Sequence, residues 1–316
     1  MNNSIKKRFV NDYNLPIQVF DDNYFFYYLN LYEAKHQTLS KWTKLIYMIN
    51  NKFNRNDDEW LTYYSEVRDN IITSILNNPA YIKFSQEDNM NKYHFKNDLF
   101  KDVNIYTENF LNHTLLSIDL KKANFQALKF HNPEIVFNAN TYEELIEKFS
   151  DCEYIKESKY TRQVIFGKLN PRRQITIERY IMNLIYNSKC ELMNYLKANA
   201  KLVAFKNDEM IFDISNCDIN DISKYTNITT IDSFNVKIEI FVLELMQFKT
   251  HTGSAINVWR KVFNDGNDEL KSAPVTYYPQ IFKRWMGIPI DERDLVFFHE
   301  NQLAKFIYPL SYNKKK

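Results

Sequence analysis

The chain has 316 residues, enough for one large domain or two ordinary ones. Hydrophobic residues at 45% and charged residues at 25% exclude a disordered chain, and a net charge of +2 excludes a basic coat over the whole surface, so any nucleic-acid surface must come from local clustering. Three widely spaced cysteines, an opening M-N-N-S-I-K-K-R with no apolar core behind it, and the lack of any run of about 18 apolar residues argue against a cysteine metal site, a signal peptide and a membrane span.

Residues 1–110 read as mostly helical. Apolar residues recur at three- and four-residue spacing over 25–32 and 39–53, and a third helix is expected over 60–76, ending near Asn77-Asn78-Pro79. The polar stretch 85–101 reads as a linker or boundary. Residues 115–119 (L-L-S-I-D) read as a short buried strand that ends in the carboxylate of Asp119. A short helix over 142–149 has Thr141 as its cap. Residues 159–169 form a helix that stops at Asn170-Pro171, and Pro171 opens the next one. That helix, 171–196, carries an amphipathic face marked by Ile175, Ile177, Tyr180, Ile181, Leu184, Ile185, Leu192 and Leu196. Residues 202–214 are two apolar runs around a polar turn, a β-hairpin with Asp208 at its tip. A short helix over 218–225 and strands over 228–231 and 236–245 follow, the second with alternating Val236, Ile238, Ile240 and Val242. The last 65 or so residues read as helix and loop.

If the strand 115–119 and the hairpin are neighbours in one sheet, Asp119 and Asp208 face each other at its rim. Such a pair can hold divalent cations for phosphoryl or nucleotidyl transfer. Between them in sequence lies a helix with Lys159 and Arg162, cations suited to a triphosphate. Taken singly, each Asp also reads as an ordinary turn or cap residue. The basic run Lys168, Arg172, Arg173, Arg179 reads either as a solvated face or as phosphate contacts. The histidines share no metal spacing, Ser254 lacks a nucleophile elbow, and with 4 glycines there is no phosphate-binding glycine loop.

These stretches resemble family B DNA polymerases. D-L-K-K-A-N-F-Q-A-L from Asp119 is similar to the first palm motif D-x-x-S-x-Y-P-S. K-Y-T-R-Q-V-I-F-G from Lys159 resembles the fingers motif K-x-x-x-N-x-x-Y-G, with Gln163 at the Asn position and Phe166 at the Tyr position. R-Q-I-T-I-E-R from Arg173 is similar to the I-T-x-x-G-R run that follows. F-K-N-D-E-M-I-F from Phe205 resembles the D-T-D-S-I-F hairpin, with Asp208 on its second Asp; Asn207-Asp208-Glu209 also resembles the H-D-E of family A. The likeness spans roughly 115–214. Departures are Lys206 at the hairpin's first Asp position, Lys122 for Ser, Asn124 and Phe125 for Tyr-Pro, and no proofreading motifs in 1–110.

The resemblance implies an α+β fold: an antiparallel palm sheet from 115–119, 201–206, 209–214 and 236–245, with helices over one face. It implies a helical N-terminal lobe (1–110), palm and fingers (111–247) and a thumb-like region (248–316). It implies template-directed nucleotidyl transfer with Mg²⁺ or Mn²⁺ on Asp119, Asp208 and Glu209. Lys159, Arg162 and Gln163 would hold the nucleoside triphosphate. Asn124 and Phe125 would lie at its sugar; alternation of an extended stretch places Asn124 there and Phe125 away. Lys168, Arg172, Arg173 and Arg179 would contact a primer–template. The expected compartment is the cytoplasm, the host's for a viral chain, with replication or transcription proteins as further partners. The substituted motifs leave open a catalytically silent palm that serves such an assembly, and an unrelated α+β binding protein.

Overall fold

The computed structural model describes residues 2–87, 90–95, 99–300 and 302–313. Six helices come first: α1 (Asn3–Asp12), α2 (Asp22–Leu31), α3 (Glu33–His36), α4 (Thr38–Lys52), α5 (Asp57–Leu76) and α6 (Pro79–Gln86). Their starts follow capping chemistry. At α5, the Asn56 side chain accepts the N–H groups of Asp58 and Glu59, and three acidic residues in the first turn face the positive end of the helix dipole. The expected boundary at 85–101 contains the end of α6, and 88–89 and 96–98 lie outside the described residues.

Strand β1 (Thr114–Leu120) leads into α7 (Ala123–His131). Then come α8 (Tyr142–Glu147), α9 (Glu153–Glu157), α10 (Lys159–Gly167), α11 (Pro171–Asn187) and α12 (Glu191–Asn199). Thr141 caps α8 by accepting the Glu144 N–H. The single helix expected over 171–196 is two. Ser188 leaves helical backbone, and its hydroxyl accepts the Cys190 N–H at 3.2 Å, which redirects the chain into α12. Strands β2 (Lys201–Phe205) and β3 (Glu209–Asp213) make the hairpin, followed by α13 (Ile219–Ser223), β4 (Thr230–Ile231) and β5 (Phe234–Lys249).

The fold is α+β around an antiparallel sheet of order β2-β3-β1-β5-β6-β7. Strands β6 (Ala255–Phe263) and β7 (Asp268–Lys271) overturn the helix-and-loop expectation for the last residues. Both faces of β6 carry buried residues, Val258 beside Trp259 and Lys261, so its apolar residues do not alternate in a way that announces a strand. Helix α14 (Tyr278–Met286), the hairpin β8 (Val296–His299) with β9 (Gln302–Lys305), and β10 (Ser311–Asn313), which pairs with β5, complete the chain. No helix among the described residues is long and apolar enough to cross a membrane.

One face of the sheet is the core. Leu116, Ile118, Leu120, Met210, Phe212, Val236, Ile238 and Ile240 pack with Ala127, Leu128, Ile177, Ile181 and Ile185 from the helices. The other face has two halves. Leu115, Ile211, Phe241, Leu243 and Trp259 lie in a second cluster with Ile105, under the segment 105–111. Beyond them, toward the hairpin turn, that face is polar and half-buried.

Candidate active site

The polar half is built by strand register. Asp119 lies opposite Glu209 of β3 and opposite Lys237 of β5, so all three side chains share one face. One pair further down, Ser117 lies opposite Ile211 and Glu239. Asp208 occupies the β2–β3 turn, and its backbone carbonyl accepts the Leu120 N–H at 2.8 Å. That bond ties the hairpin tip to the residue after Asp119, so two acids 89 positions apart meet at the rim of the sheet, as the sequence leads one to expect.

The meeting has an electrostatic signature. Burial, and then the charges of Asp208, Glu209 and Glu239, push the Asp119 pKa up to about 7, against a small opposing effect of Lys237. Burial also raises Asp208, with Lys159 and Lys206 drawing it back. Glu209 is raised by burial and by Asp208 and Glu239, while Lys261 and Lys206 oppose the rise. The nearest cations on this face are turned to Glu239. Lys261 bonds it at 3.1 Å with its ammonium over the rings of Phe241 and Phe263 at 4.1 and 4.8 Å, and Lys237 pairs with it as well. Burial raises the Glu239 pKa, yet these two lysines outweigh burial and hold it below its usual value. Among the described residues, no hydrogen bond reaches the Asp119 carboxylate.

Glu178 was not anticipated from the sequence. It projects from α11 with 4% exposure, and its Oε1 accepts the Asn124 amide at 2.9 Å. Burial and then Asp208 lift its pKa to about 7, with Asn124 and Arg179 opposing. A signal was present: Glu178 is seven residues before Ile185 and three before Ile181, which puts a carboxylate on the helix face that packs inward. The neighbouring Arg179 donates to the Asn207 side chain at 2.8 Å and lies over the Phe100 ring at 4.5 Å. Thus α11 holds the hairpin turn through Arg179 and sets a further carboxylate, Glu178, within the electrostatic reach of Asp208.

The sugar expectation needs correction. Residues 123–131 are helical, so the alternation of an extended chain does not apply. Phe125 is 2% exposed and belongs to the core. Asn124 does point toward the site, held by Glu178.

Lys159 and Gln163 are exposed on α10, and Arg162 is half-buried over the Tyr142 ring at 5.8 Å. The helical hairpin that carries them closes through Gln174, buried, whose amide donates to the Phe166 carbonyl at 3.0 Å and to that of Leu169. The four basic residues divide. Lys168 and Arg172 are exposed and have no ion-pair partner among the described residues, whereas Arg173 donates inward to the Glu87 carbonyl and Arg179 to Asn207.

Whether a divalent cation fits can be asked of the donors. Asp208 adds to the rise of Asp119, while Lys159 and Lys206 draw Asp208 down, and two neighbouring carboxylates so placed suit a cation. Among the described residues no group of three or more Asp, Glu, His or Cys side chains stands in position to hold a metal ion. Glu209 stands beside Asp119 on the same face. A cation here would rest on the Asp119–Asp208 pair, with water and phosphate oxygens completing its coordination, the usual habit of Mg²⁺. Comparison with protein-family models, with curated proteins and with solved structures finds no match to this chain.

Proposed function

We propose that the chain is a nucleotidyl transferase that extends a primer on a nucleic-acid template. The observation that carries this reading is the convergence of Asp119 and Asp208, from separate stretches, on the half-buried rim of an antiparallel sheet, with Lys159 in electrostatic reach of Asp208. A Mg²⁺ or Mn²⁺ ion on that pair supplies Lewis-acid stabilisation of the transferring phosphoryl group and lowers the pKa of the attacking hydroxyl. The chain's own residues do the rest. Lys159 places positive charge against the triphosphate, where its field already reaches Asp208. Glu178 holds the Asn124 amide toward the same space, and Arg179 fixes the turn from which Asp208 projects. Lys168 and Arg172, exposed at the α10–α11 turn, are free to meet template or primer phosphates.

The test is primer extension by purified protein with Mg²⁺ or Mn²⁺. Asp119→Asn and Asp208→Asn are each expected to lower kcat by about a thousandfold or more, since removing the metal's anchor removes several kcal/mol of transition-state stabilisation. Both should unfold at or above the parent temperature, because each removes a carboxylate whose charged form burial disfavours. Substantial activity in either variant ends the assignment. One observation favours a second reading: Lys206 stands in the turn where the resemblance puts an acid, and its charge competes with a cation for Asp208. Primer–template binding without extension, in the parent, would select a silent palm subunit instead.

A further inference from the structure

Helix α10 starts on a polar cluster buried among the N-terminal helices. Asp12, the last residue of α1, is 1% exposed. Its Oδ1 accepts the Tyr64 hydroxyl at 2.7 Å and the Ser158 hydroxyl at 2.8 Å, and its Oδ2 accepts the Tyr154 hydroxyl at 2.8 Å. Ser158 is the N-cap of α10: its Oγ accepts the Thr161 N–H at 2.9 Å and the Thr161 hydroxyl at 2.8 Å. The Arg8 guanidinium, one turn back on α1, lies over the rings of Tyr64 and Tyr160 at 4.5 and 5.3 Å. Residues of α1, α5, α9 and α10 therefore meet at one carboxylate.

Stability alone does not call for this arrangement. A carboxylate in a core is costly even when hydrogen-bonded, and apolar side chains of similar volume commonly pack as well or better. What the cluster supplies is direction. Three donors fix the carboxylate, the carboxylate fixes the Ser158 rotamer, and Ser158 sets where α10 begins. Lys159 is the next residue, and Arg162 and Gln163 lie one turn on. We propose that Asp12 is a positioning residue that orients α10, and with it Lys159, toward Asp208. The functional half of this rests on the reading of Lys159 as the triphosphate's cation; the structural half does not.

The experiment compares the full-length parent with Asp12→Asn and with Ser158→Ala. Asp12→Asn removes the charge that strengthens all three bonds and turns an amide nitrogen toward at least one donor, so the link to Ser158 weakens. Ser158→Ala leaves Asp12 its two tyrosines and removes its direct link to α10, with the Tyr64–Thr161 hydroxyl contact remaining, which keeps the test available if Asp12→Asn does not fold. Amide hydrogen exchange is expected to quicken by about tenfold or more over 159–167 while β1, β3 and β5 keep their protection. In primer extension, KM for the nucleotide is expected to rise about fivefold or more with kcat changed by less than about twofold, and Lys159→Ala is expected to cost less in the Asp12→Asn background than in the parent. Quickened exchange spread evenly over helices and sheet, or none over 159–167, overturns the proposal. A parent that never extends a primer sinks the polymerase reading instead, and leaves the exchange result to judge Asp12 by itself.

Discussion

Asp119 and Glu178 are carboxyls that the fold keeps near neutrality, and their pH effect has a definite sign. Each has a folded pKa of about 7, raised first by burial and then by Asp208, from ordinary values of 3.8 and 4.5. The unfolded chain therefore gives up these protons near pH 4, while the folded chain keeps them to about 7. Between those limits the folded state binds more protons. Its stability is greatest at the acid end and is lost as pH rises, by at most about 1.4 kcal/mol per pH unit for each group, and by less where water reaches it. In a chelator, the thermal midpoint is expected to fall between pH 5 and 7 and then flatten. Asp119→Asn and Glu178→Gln should each reduce that slope. Mg²⁺ at pH 8 should raise the midpoint of the parent and not of Asp119→Asn. A midpoint that climbs across this range, or slopes unchanged in both variants, would contradict the cluster described here. The two aspartates were legible in the sequence because each ends or interrupts an apolar run. Glu178 was hidden for the opposite reason: it stands within the apolar face of α11, where the helical period leads one to read only core.

At the scale of elements, legibility followed local chemistry. Caps and prolines announced α5, α8 and α11, and alternation announced β5. The break at Ser188 and the strands β6 and β7 carry no glycine or proline and no one-sided pattern, so only the completed sheet defines them. The turn from β1 into α7 is a further element of this kind. Lys122 makes it with a left-handed backbone, φ of 52°, where a β-carbon is disfavoured. Its ammonium pairs with Glu143 and lies over the Tyr142 ring at 5.7 Å, in reach of solvent. An exposed pair of this sort contributes little. Lys122→Gly is therefore expected to stay within about 1 kcal/mol of the parent in urea unfolding, backbone relief offsetting the lost pair and the freer unfolded chain. Lys122→Val should lose about 1–2 kcal/mol, since a β-branched residue fits that backbone worst. The reverse order would mean that the Glu143 pair, and not the turn, decides what residue stands there.

Over the whole molecule, the three-part division suggested by the resemblance meets a continuous sheet. The boundary expected at residue 247 falls inside β5, which pairs with β6 from Phe241↔Phe263 to Lys249↔Ala255. The two ends of the chain also touch. Gln18 exchanges hydrogen bonds with the Phe298 backbone, Tyr27 donates to buried Asp294 at 2.7 Å, and Asp268 takes Lys35, Arg260 and the Trp285 indole together. Chain beyond 250 is thus part of the support for the rim that carries Asp119; it supplies Lys261 to that face, although none of the candidate carboxylates lies there. A truncated chain, 1–250, tests this. It would leave β5 as a bare edge from Phe241 onward and strip Val258, Trp259, Ile281 and Phe282 from the clusters they complete. At about 1.5–3 kcal/mol for each large apolar side chain, that loss alone approaches the 5–15 kcal/mol by which whole domains are stable. An uncovered apolar edge also invites pairing between copies. The truncated chain is expected to aggregate, or to bind a hydrophobic dye and melt without a cooperative transition, and to show no extension activity. A soluble 1–250 that unfolds cooperatively would instead make the C-terminal strands an appendage, and would place the whole support of the Asp119–Asp208 rim in β1, β3, β5 and the helices behind them.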